Sequence, residues 1–159
     1  MKSREYFKEP RMTKILFICH GNICRSPMAE YIMKKIANEN ALDVYVESAA
    51  TSTEEIGNHV YGKAAAVLRA HGIDGFDGKT ARQVRRADYE NFDLLVIMDS
   101  LNESNIRRII ESDPENKIRK LLSFTGADAD IDDPWYTGEF ERAFEEIERG
   151  CNALAQSLN

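Results

Sequence analysis

Residues 15–27 read ILFICHGNICRSP, and the interpretation of the whole chain starts from this stretch. Its first four residues, 15–18, are apolar without interruption, which is typical of a strand covered on both faces of a parallel sheet. The Gly-Asn pair at 21–22 tolerates positive φ, so the backbone can turn tightly after the strand. The Ser-Pro pair at 26–27 predicts a helix start, with the serine as N-cap and the proline as first helical residue. The stretch therefore predicts a strand, a tight loop and a helix in succession.

The rest of the chain alternates the same two kinds of element. Short apolar or β-branched runs predict four strands, namely Lys14–Cys19, Asp43–Ser48, Asp93–Met98 and Ile118–Leu122. Apolar periodicity predicts helices after Ser26 and over Val60–His71, Ala81–Ala87, Leu101–Glu111 and Glu139–Leu158. Strands that alternate with helices pair in parallel, so we expect a single doubly wound α/β domain. Ligands of such sheets bind beyond the carboxyl ends of the strands, which is where Cys19 lies.

Length and composition fit one globular domain and argue against several functions. The 159 residues are 43% hydrophobic and 30% charged, with a net charge of −6. Nucleic acids and anionic membranes bind basic surfaces, so we expect neither as a partner, and no apolar run reaches the roughly 20 residues of a membrane span. Residues 1–12 are polar and lack the apolar core of a secretory signal. We therefore expect a polar extension at 1–12, one domain at 13–159, and a cytoplasmic location.

The three cysteines point to chemistry rather than to a disulfide framework. Cys19, Cys24 and Cys151 form an odd, sparse set, which fits a reducing compartment. No histidine stands at a zinc-ligand spacing from them. A loop that delivers backbone N–H groups to a helix start is a site for a tetrahedral anion, and Arg25 can grip two of its oxygens. The same donors stabilise a thiolate at Cys19, which would lie beneath a bound phosphate, ready for in-line attack.

Several further motifs follow this loop along the chain. The loop with the start of its helix reads CHGNICRSPMAE, and SAATSTEEIGN, HGI, TARQ, FDLLVIMD and DDPWYTGEF follow. In these motifs, from about residue 13 to the last helix, the chain resembles the low-molecular-weight protein tyrosine phosphatases. The resemblance implies a four-stranded parallel sheet in the order 2-1-3-4 with helices on both faces. It also implies hydrolysis of phosphotyrosine, with tyrosine-phosphorylated proteins as partners and inorganic phosphate as product or inhibitor.

The resemblance assigns roles residue by residue. Cys19 is then the nucleophile, Arg25 the phosphate clamp, and Asp133 the general acid that later serves as base. The phosphate-binding loop consists of His20, Gly21, Asn22, Ile23, Cys24 and Ser26, with Ser48 and Asp99 as supporting residues. Cys24 is also implied as a redox partner that closes a reversible disulfide with Cys19 under peroxide. Because Arg25 and the amides supply the positive field, we expect no metal and no other cofactor.

The substrate slot contains one departure from the family pattern. Trp135 and Tyr136 can flank an aromatic leaving group. Where many relatives have an aromatic wall residue, this chain has Glu54, whose charge repels a dianion and favours basic sequences around the phosphotyrosine.

Two other reactions occur on the same fold. Relatives that hydrolyse phosphoarginine have threonine at the position of Ile23, so the apolar residue favours phosphotyrosine. Thioredoxin-coupled arsenate reductases need two further cysteines, and the region 64–99 contains none. A protein that only binds an oxyanion would need neither Cys19 nor Asp133.

Overall fold

The computed structural model describes residues 12–158. The extension predicted at residues 1–12 therefore lies outside the described residues, apart from Met12, and its boundary stays a prediction. Over the described range, no helix is both long enough and apolar enough to span a bilayer.

Four parallel strands form one sheet in the order β2-β1-β3-β4, which confirms the predicted fold class. The strands are β1 (Thr13–Cys19), β2 (Val44–Ala50), β3 (Leu94–Ile97) and β4 (Ile118–Lys120). Strand β1 lies between β2 and β3, so the strand order reverses at its carboxyl end. Cys19 is the last residue of β1 and thus lies at the topological switch point, where ligands of such sheets bind.

Helices cover both faces of the sheet. In chain order they are α1 (Arg25–Asn40), α2 (Gly62–Ala70), α3 (Asp88–Asn91), α4 (Ser100–Ile106), α5 (Pro134–Thr137) and α6 (Phe140–Ser157). A 3-10 helix at Leu121–Thr125 follows β4 directly. The predicted helices at 60–71, 101–111 and 139–158 thus exist with shorter bounds.

Alternate residues of β1 enter two different cores. Ile15 and Phe17 pack with α1, α2 and α6, whereas Leu16 and Ile18 pack with Phe92 and the end of α4. All four are fully buried, as the continuous apolar run predicts for a strand covered on both faces. The strand that carries Cys19 is therefore fixed from both sides.

The helix predicted at Ala81–Ala87 is absent, and the helix in this region starts at Asp88. Ala50 at the end of β2 donates to the carbonyl of Arg82 at 2.7 Å and accepts from the N–H of Val84 at 2.8 Å. These bonds to the sheet replace the i→i−4 bonds of a helix. Local propensity predicted the wrong element because the sheet supplies the hydrogen-bond partners.

The predicted helix start, with Ser26 as N-cap and Pro27 as first helical residue, is also wrong by two residues. Helix α1 begins at Arg25 with Cys24 as N-cap, and no side chain caps it. Pro27 is the third helical residue, a position whose N–H has no intrahelical partner in any case. The Ser26 hydroxyl contacts the sulfur of Cys19 instead of a backbone N–H.

Candidate active site

The sulfur of Cys19 lies within a ring of hydrogen-bond donors. The N–H groups of Asn22 and Ser26 are 3.3 and 3.4 Å from Sγ, and the Ser26 hydroxyl oxygen is 3.0 Å away. Asn22 has φ +60°, in the left-handed region, which curls the loop around the sulfur. The local sequence thus produces a pocket in which negative charge on sulfur is stabilised by three donors.

A chain of side-chain hydrogen bonds holds the donors in place. The Asn22 amide donates to Ser26 Oγ at 2.7 Å and to Ser48 Oγ at 2.9 Å. The Ser48 hydroxyl donates in turn to Glu30 at 2.6 Å. The chain ends at Glu30, because a carboxylate only accepts. Ser26 Oγ accepts from Asn22, so its own O–H is available to donate to Cys19 Sγ.

Glu30 anchors this chain at its far end. Its side chain is 4% exposed, and it is paired with Lys34 at 2.6 Å and with Lys79 at 3.7 Å. Burial lowers the pKa of Lys79, and the charge of Glu30 opposes that effect. Sequence reasoning did not single out Glu30, although its place one turn after Ser26 puts it on the same side of α1.

Backbone N–H groups complete the anion site. The loop ends at the first turn of α1, where the leading N–H groups have no intrahelical partners. The N–H groups of Ile23 and Cys24 in the loop, and of Arg25 at the helix start, meet no acceptor among the described residues. A helix start with free N–H groups next to a cysteine sulfur is suited to hold a phosphate.

Arg25 reaches across the same cleft. Its Nη1 donates to Asp99 at 2.6 Å and to the carbonyl of Ile131 at 2.8 Å. Burial would lower its pKa, but the charges of Cys19, Asp99 and Asp133 outweigh burial and raise the pKa above the usual value. Arg25 is therefore a fixed positive charge with a fixed orientation, and Asp99 is its main support.

Asp133 contacts the other terminal nitrogen of this guanidinium, Nη2, whereas Asp99 contacts Nη1. The Oδ2 of Asp133 is 3.4 Å from Arg25 Nη2, and its Oδ1 accepts from the N–H of Trp135 at 3.0 Å as N-cap of α5. The side chain is 22% exposed. The structure therefore brings residues 25 and 133, which are far apart in sequence, into direct contact.

The cleft has a volume of about 340 Å³, and its lining includes Cys19, Arg25 and Asp133. Trp135 and Tyr136 line one wall, where they are 52% and 80% exposed. Glu54 and Glu55 also line the cleft, and Glu54 is paired with His20. The residues predicted for the loop and the slot that line this cleft are His20, Gly21, Ile23, Cys24, Glu54, Trp135 and Tyr136.

Two residues of the walls were missed by sequence reasoning. Glu55 extends over the loop, since a Cβ at Gly21 would lie 3.4 Å from its Cγ. Tyr61 supports the aromatic wall with its ring centroid 4.8 Å from that of Trp135. A second glutamate and a tyrosine next to a helix are common surface residues, and only long-range packing brings them here.

The three cysteines differ in their surroundings. All three are buried free thiols. Burial raises the pKa of Cys24, as do the charges of Cys19 and Asp133, and burial raises the pKa of Cys151 too. These two cysteines are therefore neutral thiols, and the disulfide between Cys19 and Cys24 stays a prediction. Within residues 12–158, no group of three or more histidine, cysteine or acidic side chains is arranged to hold a metal ion.

Comparison with known proteins identifies the class of protein that this fold and cleft define. Residues 14–159 match the family model for low molecular weight phosphotyrosine protein phosphatases. The chain belongs to this family and is a protein-tyrosine-phosphatase of the low-molecular-weight class.

Individual relatives are similar to the chain over most of its length. The chain is 38% identical to the low molecular weight protein-tyrosine-phosphatase YfkJ of Bacillus subtilis, over 92% of this chain and 96% of that protein. The crystal structure of YfkJ superposes with a TM-score of 0.89 over 94% of this chain and 96% of that one, at 37% identity. SP-PTP of Streptococcus pyogenes has a TM-score of 0.84, 33% identity, and coverage of 93% and 94%. A Drosophila arginine phosphatase has a TM-score of 0.82, 30% identity, and coverage of 91% and 97%.

Proposed function

We propose that this enzyme hydrolyses phosphotyrosine in proteins, and small aryl phosphates, through a cysteinyl-phosphate intermediate. One observation carries the proposal: Cys19, Arg25 and Asp133 line a single cleft, with the Cys19 sulfur among N–H donors. Each of the three groups has a different role in the reaction. We further propose a cytoplasmic location, with tyrosine-phosphorylated proteins as partners.

In the first step the Cys19 thiolate attacks phosphorus, and the bond from phosphorus to the phenolic oxygen breaks. Arg25 and the loop N–H groups bind the three remaining oxygens and stabilise the charge that spreads over them. Asp133 gives its proton to the departing oxygen, so tyrosine leaves as a neutral phenol. This step requires Asp133 to carry a proton when the substrate is bound.

In the second step water attacks the phosphorus of the intermediate, and the bond from phosphorus to sulfur breaks. Asp133, now ionised, accepts a proton from the water. The Ser26 hydroxyl, 3.0 Å from the sulfur, stabilises the thiolate as it departs. Inorganic phosphate is the product, and it would inhibit by occupying the same donors.

The cleft favours an aryl phosphate over other phosphate monoesters. Exposed Trp135 and Tyr136 offer ring faces to a phenol, whereas a serine phosphate is too short to reach both these rings and the sulfur. Ile23 lines the cleft and is 8% exposed, which supports phosphotyrosine over phosphoarginine. Relay chemistry of the arsenate reductase kind finds no support, because Cys151 is fully buried in the core.

Acidic side chains on the rim favour basic residues next to the phosphotyrosine. Glu54 and Glu55 lie in a loop pinned by bonds from Ser52 N–H to the His20 carbonyl at 3.1 Å and from Gly57 N–H to the Ala81 carbonyl at 2.9 Å. The Asn58 amide donates to Glu55 at 3.1 Å. Two carboxylates in a pinned loop present a fixed negative surface to the substrate.

Release of phosphate from matched peptides tests the proposal. Phosphotyrosine, phosphoserine and phosphoarginine peptides of the same sequence are compared, together with 4-nitrophenyl phosphate. We expect release from the phosphotyrosine peptide, loss of all activity in Cys19→Ser, and a fall in kcat/KM of about 10²–10⁴-fold on phosphotyrosine in Asp133→Asn. Trapping of a phosphate-labelled enzyme by rapid acid quench detects the intermediate.

Cys151→Ser is the matched control, since it removes a thiol outside the cleft. It should keep normal activity on all substrates. Faster turnover of phosphoarginine than of phosphotyrosine, or activity that survives in Cys19→Ser, would refute the proposal.

A further inference from the structure

Lys120 forms a cluster of ion pairs outside the cleft, at the carboxyl end of β4. Its Nζ lies 3.0 Å from Asp130 Oδ1 and 3.2 Å from Asp128 Oδ1, and it donates to Ser100 Oγ at 2.8 Å. The Lys120 side chain is 15% exposed, although Asp128 is 90% exposed. Lys120 thus connects the sheet to the segment that precedes Asp133, residues 126–133, which we call the acid loop.

Asp130 is the central partner in this cluster. Ser100 also donates to Asp130 Oδ1, at 3.4 Å. Burial acts to raise the pKa of Asp130, but hydrogen bonds from Lys120 and Ser100 outweigh it and hold the pKa below the usual value. Asp130 is therefore a charged anchor at neutral pH, located three residues before Asp133.

The next residue, Ile131, links this anchor to Arg25 in the cleft. Its side chain is fully buried, its N–H donates to the carbonyl of Met98 at 2.9 Å, and its carbonyl accepts from Arg25 Nη1 at 2.8 Å. The backbone is thus fixed at 130 and 131. The contact of Asp133 itself with Arg25 is long, at 3.4 Å, so the carboxyl depends on the anchors that precede it.

The acid loop carries several negative charges that few cations neutralise. Four aspartates lie within residues 128–133, and Asp99 lies close to them through Arg25. In the described part of the chain, the ion pairs made by residues 126–133 involve two cations, Lys120 and Arg25. Without Lys120, repulsion among these carboxylates favours acid-loop positions farther into solvent.

We propose that Lys120 is a positioning residue for the general acid: its ion pairs with Asp128 and Asp130 hold the acid loop so that Asp133 reaches the departing oxygen. The proposal rests on the acid role of Asp133 proposed above. Lys120 touches neither the substrate nor the cleft, and its effect passes through the backbone of residues 130–133. Misplacement of a catalytic group by a fraction of an ångström is enough to slow a reaction.

The dependence on leaving group separates positioning from general stability. The value of kcat/KM reports steps up to the first cleavage, in which phenyl phosphate needs protonation far more than 4-nitrophenyl phosphate does. We expect Lys120→Met to lower kcat/KM by about three- to tenfold for phenyl phosphate and by less than about twofold for 4-nitrophenyl phosphate. Lys120→Arg keeps the charge and should restore most of the loss.

Lys117→Met is the matched control. Lys117 lies just before β4, its side chain is 12% exposed, and it contacts the carbonyl of Tyr89 at 2.5 Å and Glu115 at 3.7 Å. The Lys117→Met variant should leave the ratio of the two kcat/KM values unchanged even if its free energy of unfolding falls. Asp130→Asn removes the partner instead of the lysine, and should shift the ratio in the same direction as Lys120→Met.

A double variant completes the test. In an Asp133→Asn background, Lys120→Met should cause no further loss, because the group that it positions is absent. Equal losses on both phosphates, or a full additional loss in the double variant, would overturn the proposal. If Asp133→Asn alone left the ratio unchanged, the proposed acid role itself would fail. If Asp133→Asn changed the ratio as expected but Lys120→Met and Asp130→Asn both left it unchanged, only the proposed role of Lys120 would be overturned.

Discussion

At the scale of single residues, Ser26 shows how one hydroxyl contacts both the loop and the sulfur of Cys19. Its oxygen accepts from Asn22 at 2.7 Å and lies 3.0 Å from the sulfur of Cys19. An N-cap serine would have used the same hydroxyl for the helix. Because α1 begins at Arg25, two residues before the start that an N-cap at Ser26 would give, the hydroxyl is free to contact the sulfur.

Glu54 is the residue for which a substitution tests substrate preference most directly. We expect Glu54→Tyr to lower KM for aryl phosphates by about two- to fivefold, since a repulsive charge is replaced by a ring. Glu54→Gln should reduce any preference for phosphotyrosine peptides with flanking lysines over peptides with flanking glutamates. Steady-state kinetics at low salt measures both effects.

Glu39→Gln serves as the control for Glu54. Glu39 is an exposed glutamate on α1, paired with Lys35 at 3.1 Å. Glu39→Gln changes the net charge by the same amount as Glu54→Gln. It should not change the preference between peptides with flanking lysines and peptides with flanking glutamates. If Glu54→Tyr left KM unchanged, Glu54 would not face the substrate.

At the scale of elements, the contact between α6 and the 3-10 helix depends on a glycine. A Cβ at Gly150 would lie 2.6 Å from Cγ of Leu121, which is fully buried. This contact fixes the 3-10 helix, which begins directly after Lys120 and ends where the acid loop starts. Close packing of two helical elements thus supports the segment that carries Asp133.

Gly150→Ala should lower the free energy of unfolding by up to about 2 kcal/mol. A helical Gly→Ala change normally gains about 1 kcal/mol, but overpacking against a buried leucine costs about 1–3 kcal/mol and outweighs the gain here. Urea unfolding measures the difference. Gly62→Ala, where a Cβ meets no atom within 4 Å, is the control and should be neutral or stabilising. Equal stability of wild type and Gly150→Ala would contradict the prediction.

At the scale of the whole molecule, Asp113 joins the start of β4 to α3. It accepts from the Tyr89 hydroxyl at 2.6 Å and from the N–H groups of Lys117 and Ile118 at 2.7 and 3.0 Å. Burial acts to raise the pKa of Asp113, but these hydrogen bonds outweigh it and lower the pKa below the usual value. The ionised carboxylate therefore stabilises the folded state.

This shift gives stability a defined pH dependence. A carboxylate with a lowered folded-state pKa contributes fully above its unfolded pKa of about 3.9, and the contribution is lost as pH falls through the folded-state pKa. Asp113→Asn should cost about 1–3 kcal/mol at pH 7, and the difference from wild type should narrow as pH falls below about 4. Urea unfolding between pH 7 and pH 3 measures it. A difference that stayed constant over this range would show that the charge contributes nothing.

Most of the fold followed from local patterns in the sequence. The apolar run of β1 predicted a strand with two covered faces, and the alternation of elements predicted a doubly wound sheet. The segment 81–87 did not follow, because hydrogen bonds to the end of β2 override local propensity. The sequence predicted the loop around Cys19 because the donors of this loop lie close together in the chain. It did not predict the contacts of Glu30, Glu55 and Tyr61 with the site.

The sequence by itself determined the strand, the loop and the helix that surround Cys19, since these depend on neighbouring residues and on steric limits of the backbone. Tertiary structure alone decided that Arg25 meets Asp99 and Asp133, and that Lys120 holds the acid loop. Those contacts join residues up to 108 positions apart. Their distances are set by how the strands and helices pack, and no local pattern encodes them.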